Sequence, residues 1–220
     1  MHLLENLFDR NFINCDRGNI LKILDCLGSP QEKLKCILVG GTNGKGSTSA
    51  FINQILLEAG YDVGFYSSPH LVSPNERIRI NGSPITDEEA NPFLQKILQA
   101  ESKFDFRLTF FEIMTALAFM IFFDRKVDIT ILEVGMGGRF DATNVVTPIL
   151  SIITNIALDH TQYLGDTLSK ILEEKAEIIP IGGTVVTGIE AQDLTHQLKK
   201  ICESKSAKLL SPGVWKEQVR

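Results

Sequence analysis

Ten consecutive residues, Val39-Gly40-Gly41-Thr42-Asn43-Gly44-Lys45-Gly46-Ser47-Thr48, set glycines, hydroxyls and one lysine between an apolar strand-like run and a helix-like run. That pattern is chemistry for holding phosphate. Small residues let backbone N–H groups close around anionic oxygens, the next helix turns its positive N-terminal end toward them, and Lys45 adds a mobile cation. Thr42, Asn43, Gly44, Lys45, Gly46, Ser47 and Thr48 are therefore the candidate nucleotide-binding residues. The general phosphate-loop pattern is matched imperfectly: Val39 stands where the first glycine belongs, Gly46 follows the lysine, and the hydroxyl arrives one place late at Ser47. A tight strand-to-helix turn is the simpler alternative, and a lysine between two glycines argues against it.

Four further segments carry groups that could do chemistry. Glu133 ends an apolar run, followed by Val134-Gly135-Met136-Gly137-Gly138-Arg139, and a carboxylate there suits Mg²⁺, which takes a few carboxylate or hydroxyl oxygens plus phosphate oxygens and water. A strand-end glutamate capping a turn is its bland reading. Asp159-His160 follows another such run, so His160 is placed to meet metal or phosphate, or to be an ordinary loop residue. The loop from Gly137 to Asn144 presents polar groups for a substrate, unless Asp141 and Asn144 are plain turn formers. Lys175, within Glu173-Glu174-Lys175-Ala176-Glu177, reads by itself as a solvated helix face.

These groups need a scaffold that gathers them. Strands are expected at 36–39, 63–66, 127–134, 149–154, 185–187 and 208–210; the longer ones are continuous apolar runs, as in a parallel sheet buried on both faces. Helices are expected at 16–27 behind an Asp16 cap, 45–58, 86–102 and 109–124 behind the capping boxes Thr86/Glu89 and Thr109/Glu112, then 167–179 and 191–203. Between 67 and 82 runs a long excursion that ends in an Asn81-Gly82 turn. The alternation predicts an α/β fold, an open and mostly parallel sheet with helices on both faces and its ligand crevice at the strand C-termini.

Composition narrows the function classes. The 220 residues are 44% hydrophobic and 22% charged, enough for one sizeable core, and a net charge of −5 without a Lys/Arg run argues against nucleic acid as a partner. Cys15, Cys26, Cys36 and Cys202 show no C-x-x-C spacing and no signal core precedes them, which predicts a reducing cytoplasm. The longest apolar run, 110–123, contains Glu112 and is too short to span a bilayer, so no membrane role is expected.

Taken together, Gly41-Thr42-Asn43-Gly44-Lys45-Gly46-Ser47, Ser68-Pro69-His70-Leu71 with Asn75-Glu76-Arg77-Ile78, Thr109-Phe110-Phe111-Glu112, Glu133 through Arg139, Asp141-Ala142-Thr143-Asn144 and Leu158-Asp159-His160 resemble, in order and spacing, folylpolyglutamate synthase/dihydrofolate synthase of the Mur ligase superfamily. The resemblance covers residues 16 to 190 or so. It implies a phosphate-loop domain of the Mur ligase central type that uses ATP and Mg²⁺ to phosphorylate a folate or dihydropteroate carboxylate, after which the amine of L-glutamate displaces phosphate. By that resemblance Ser68, Glu133 and His160 are metal-site positions, Lys45, His160 and Lys175 catalytic ones, and Thr109, Phe111, Asp141 and Ala142 line the pterin pocket. Lys175 matches a lysine that is carbamylated in many relatives.

Two departures accompany it. Glu177 stands where the family has glycine, and the family continues into a second α/β domain. The expected organisation is one ATP-binding domain over 1–220, with a helical segment at 1–35 and, at 205–220, the approach to a domain that this sequence lacks. A monomer is expected. The alternatives are a non-catalytic nucleotide-binding remnant acting as an interaction module, and a cell-wall precursor ligase of the same superfamily, which the Ser68–Leu71 and Asp141–Asn144 motifs disfavour. Arg77 is expected to anchor the excursion through a carboxylate or backbone carbonyls.

Overall fold

The computed structural model describes residues 3–10 and 12–211. A 3-10 helix over Leu3–Arg10 precedes α1 (Gly18–Cys26), β1 (Cys36–Gly40), α2 (Lys45–Glu58) and β2 (Val63–Tyr66). Two short strands follow, β3 (Ile78–Ile80) and β4 (Ser83–Pro84), then α3 (Asp87–Glu101), α4 (Phe110–Asp124), β5 (Ile129–Glu133) and β6 (Leu150–Ile153). The chain closes its described part with α5 (Thr161–Leu164), α6 (Leu168–Lys175), β7 (Thr184–Thr187), α7 (Gln192–Ser204) and β8 (Lys208–Leu210). The strands form one sheet in the order β4-β3-β2-β5-β1-β6-β7-β8. Every pair from β2 through to β8 is parallel, while β3 and β4 add an antiparallel edge.

Successive strand side chains point to opposite faces, and this divides the core in two. Ile37, Val39, Val63, Phe65, Ile131 and Ile152 form one face, on which Ile52, Leu56 and Leu57 of α2 pack. Cys36, Leu38, Tyr66, Leu132 and Ile153 face the other way, into a larger core with Ile20 of α1, Leu94 of α3, Phe119 of α4, Leu172 of α6 and Leu198 of α7. The α4 helix is apolar around its circumference and buried along nearly all its length, as a helix without an amphipathic stripe must be.

The helix starts follow their local chemistry. Thr86 Oγ1 accepts from Glu89 N at 3.2 Å and Glu89 Oε2 from Thr86 N at 2.8 Å; Thr109 and Glu112 repeat the exchange at 3.1 and 2.8 Å. Each box satisfies two amides that would otherwise lack partners, worth about 1 kcal/mol. At α1 the expectation shifts by one residue: Arg17 is the N-cap, and Asp16 Oδ1 accepts from Gly18 N at 2.9 Å.

Residues 67–82 are more ordered than a loop. A 3-10 turn at Pro74–Arg77 and the β3–β4 hairpin occupy their second half, turning through Asn81 and Gly82, both at positive φ as a tight hairpin turn requires. Of the stretch 205–220 the described part is helix cap and edge strand β8, so it completes the sheet; residues 212–220 lie outside the described residues.

Candidate active site

Parallel pairing brings the C-terminal ends of β1, β5 and β6 to one rim of the sheet, and the polar segments leave from there. Val39 pairs with Glu133 and Gly40 with Ile153, so the phosphate loop is flanked on one side by the carboxylate and on the other by the Thr154–Ala157 turn.

That turn braces the loop. Thr42 N donates to Asn155 O and Asn43 N to Asn155 Oδ1, each at 2.9 Å, while the Thr42 hydroxyl bridges Ala157 O (3.2 Å) and Ala157 N (3.0 Å). Thr154 Oγ1 donates to Asn43 O at 2.7 Å. A methyl on Gly41 would come within 1.9 Å of that hydroxyl oxygen, which explains the glycine. Thr42 and Asn43 therefore hold the shape of the loop with these groups. The amides left for an anion lie further on: Gly44 is the N-cap of α2 and has no side chain to cap it, so the first-turn N–H groups through Gly46 and Ser47 have no intrahelical acceptor. Thr48 belongs to the same turn, and its N–H closes onto Gly44 O at 2.9 Å. Lys45 Nζ rests on Thr42 O at 3.2 Å.

Glu133 is buried, and its Oε2 accepts from Ser68 N at 3.2 Å. Burial pushes its carboxyl up from the usual range; the Ser68 N–H and the Lys45 ammonium oppose that shift. Gly46 lies against it, since a methyl there would sit 3.4 Å from Glu133 Oε2. His160 caps α5 with its ring half-exposed and 3.7 Å from Asp159 Oδ2. Among the described residues no three His, Cys, Asp or Glu groups assemble as a metal cage. One buried carboxylate against a phosphate loop, with Ser68 on it through its N–H, suits a Mg²⁺ shared with phosphate and water, and the residues fit that group.

Lys175 overturns its solvated-face reading. It is 3% exposed, and its ammonium donates to Gly41 O at 2.9 Å across 134 residues of sequence. Burial first, then the Lys45 ammonium, pushes it down to about 8, against the pull of Asp159 and Asp141. Glu177 does not reach this amine; its carboxylate pairs with Lys205 at 3.3 Å and Arg139 at 3.6 Å.

A cavity of about 940 Å³ opens beside the loop, lined by Lys45, Ser68, Thr109, Phe111, Asp141, Ala142 and His160 among others. Thr109 spends its hydroxyl oxygen on the α4 cap. Phe111 rests on Gly135, where a methyl would meet its ring at 2.8 Å, and tilts toward Tyr66 with ring centres 5.8 Å apart. Asp141 is buried, which pushes its carboxyl up, and accepts from Met136 N (3.0 Å), Thr143 N (2.9 Å) and the Thr143 hydroxyl. Arg77 departs from expectation: its Nε donates to His70 Nδ1 at 2.9 Å and its guanidinium lies 5.0 Å over the Phe110 ring.

Sequence reasoning missed Asn155 and the wall made by Phe12, Ile13, Asn14 and Cys15, which line the cavity from the far N-terminal side. Asn14 Nδ2 donates to Glu112 Oε1 at 3.1 Å, a contact across 98 residues that no local pattern announces. Asn155 carried a faint signal, as a polar residue directly after a buried strand.

The chain is similar to known folylpolyglutamate and dihydrofolate synthases. It is 43% identical over 198 residues to the dihydrofolate synthase/folylpolyglutamate synthase of Bacillus subtilis, across 86% of this chain and 45% of that one. The solved FPGS–AMPPCP–folate complex superposes with a TM-score of 0.89 at 37% identity, covering 94% of this chain and 52% of the other. E. coli FolC in complex with DHPP and ADP gives 0.86 at 36% identity, covering 94% and 49%. The chain spans about half the length of these relatives. The Mur ligase middle domain matches residues 39–213, so the chain belongs to the Mur ligase middle domain family.

Proposed function

We propose that this chain is the ATP-binding part of an ATP-dependent ligase that joins a folate or dihydropteroate carboxylate to L-glutamate through an acyl phosphate. The observation that carries this reading is the convergence of Lys45, at the uncapped start of α2, and of Ser68, whose N–H donates to the buried Glu133, on one cavity whose other wall holds Phe111, Asp141 and Ala142. The loop amides and Lys45 stabilise charge on a transferring phosphoryl group. Glu133 and Ser68 would hold Mg²⁺, with His160 at the cavity edge; the ion would neutralise charge on phosphate oxygens. Phe111 offers an aromatic face to a flat heterocycle and Asp141 a carboxylate to its N–H edge. Lys175 is buried beside Gly41, and with its amine pushed down to about 8 a neutral fraction exists near neutrality, the form that adds CO2 to give a carbamate. The names of the relatives favour this branch over a cell-wall precursor ligase.

Titration calorimetry tests the reading. AMPPCP with Mg²⁺ is expected to bind, and Glu133→Gln, which keeps an acceptor for Ser68 N, is expected to remove the Mg²⁺ dependence while leaving metal-free binding in place. No AMPPCP binding, or Mg²⁺ dependence unchanged in that variant, refutes the site. A second reading is a nucleotide-binding module without turnover; phosphate release that needs ATP, Mg²⁺, dihydropteroate and glutamate together excludes it. A cytoplasmic monomer acting on small molecules, with no nucleic-acid or membrane partner, completes the proposal; among the described residues no helix is long and apolar enough to cross a membrane.

A further inference from the structure

Lys175 is the last residue of α6, a helix of only eight residues, yet its buried ammonium must stay aimed at Gly41 O. Something has to fix that helix end. Lys205, the C-cap of α7, donates from one ammonium to Ala176 O (3.3 Å), which also accepts from Ile179 N, to Ile179 O (3.0 Å) and to Glu177 Oε2 (3.3 Å), placing a cation at the carbonyl end of the helix. The Glu177 carboxylate also lies 3.6 Å from the Arg139 guanidinium, whose Nε donates to Glu174 Oε1 at 2.9 Å. Arg139 N donates to Glu174 O at 3.0 Å, so the loop after β5 and the end of α6 are joined by backbone and side chains together.

The geometry points to Glu177 and Lys205 as positioning residues, holding the end of α6 so that the Lys175 ammonium keeps its place against the phosphate loop. A partly exposed ion pair adds little stability on its own. Its effect here is directional, because one cation and one anion between them reach α6, α7 and the loop carrying Asp141. A purely architectural role, tying α7 to α6, is the competing account. Gln197 provides the control, since its Nε2 ties α7 to α6 itself, through Ser169 O (3.2 Å) and Glu173 Oε1 (2.9 Å), without touching the residues that follow Lys175.

Reductive methylation of the ligand-free chain, read at Lys175 by peptide mass spectrometry, tests the proposal. Lys175 is expected to label slowly in the wild type and about tenfold faster in Glu177→Gln and Lys205→Met, as local opening of the helix end predicts. Lys205→Arg and Gln197→Ala are expected to label at the wild-type rate. Equal labelling in all five proteins, or faster labelling in Gln197→Ala as well, overturns the inference. So does a Glu177→Gln chain that melts below the assay temperature, because the clamp would then be a fold element. The affinity for AMPPCP with Mg²⁺ is expected to fall about threefold in Glu177→Gln; this arm alone rests on the proposed nucleotide site. A wild type that binds no AMPPCP would defeat that site while leaving the labelling result to decide on Glu177.

Discussion

At the scale of single residues, two lysines share the phosphate loop and differ in what holds them. Lys45 is partly exposed, with its ammonium on a loop carbonyl, so its removal sacrifices one modest hydrogen bond of the fold. A charge-assisted bond to phosphate is worth roughly 1.5–3 kcal/mol, so Lys45→Ala should lower nucleotide affinity by about ten- to a hundredfold while the melting temperature stays within a few degrees. Calorimetry and a thermal melt on the same sample check this; unchanged affinity would remove Lys45 from the site. Lys175 makes the opposite prediction. Its amine is pushed down to about 8 in the folded chain and returns to about 10.4 on unfolding. Between those values the unfolded chain binds more protons, so unfolding free energy rises with pH across that window, by at most about 3 kcal/mol from this one group. Below the window the cost of burying the ammonium is fully present. Lys175→Met lacks this rise, and the gap between wild type and variant in denaturant melts should change steadily from pH 7.5 to pH 10. A constant gap would show that the amine titrates normally.

At the scale of elements, the site depends on close approaches that only glycine allows. A methyl on Gly138 would lie 2.6 Å from Glu174 O and 2.9 Å from Lys175 O, both backbone atoms that cannot swing aside. Gly138→Ala should therefore push the Asp141 loop off α6 and cost about 1–3 kcal/mol. At Gly44 the built methyl meets nothing, and only the positive φ of 76° opposes alanine, a cost of about 1 kcal/mol. Denaturant melts of the two variants should rank in that order, and a larger loss at Gly44 would contradict the packing account. These elements also show what a sequence makes legible. The capping boxes at Thr86 and Thr109 are written within four residues, and the strands from 63 to 66 and 208 to 210 in short apolar runs, so both appear where periodicity and cap chemistry place them. The Ile78-Arg79-Ile80 alternation before Asn81-Gly82 was a readable hairpin signal that the long polar stretch around it obscured. Lys175 on Gly41 and Asn155 on Thr42 were not legible from local pattern, because each contact spans more than a hundred residues and exists only once the parallel strands are in register. For Lys175, only family likeness singled the residue out; periodicity read it as a solvated face.

At the scale of the whole molecule, the two faces of the sheet are covered unequally. Residues from α1, α3, α4, α6 and α7 fill one face, whereas among the described residues the helical cover on the other comes from α2 alone. A parallel sheet is stable when both faces are shielded, and here Leu150 and Val186 on the thinly covered face are only partly buried. The α2 helix itself turns Phe51 and Ile55, one turn apart, toward solvent at 72% and 66% exposure, while Ile52 packs inward. Outward residues contribute little to folding, so Phe51→Gln with Ile55→Gln should leave the unfolding free energy within about 0.5 kcal/mol of wild type. Ile52→Ala, by contrast, should cost about 2 kcal/mol through lost packing on the sheet. The double variant should also bind less of an apolar fluorescent dye and associate less in sedimentation at high concentration, since it removes an adjacent pair of exposed apolar groups. A double variant that melts as early as Ile52→Ala would mean that Phe51 and Ile55 are packed in solution, and that the thinly covered face is closed by a contact of the chain with itself or with another copy.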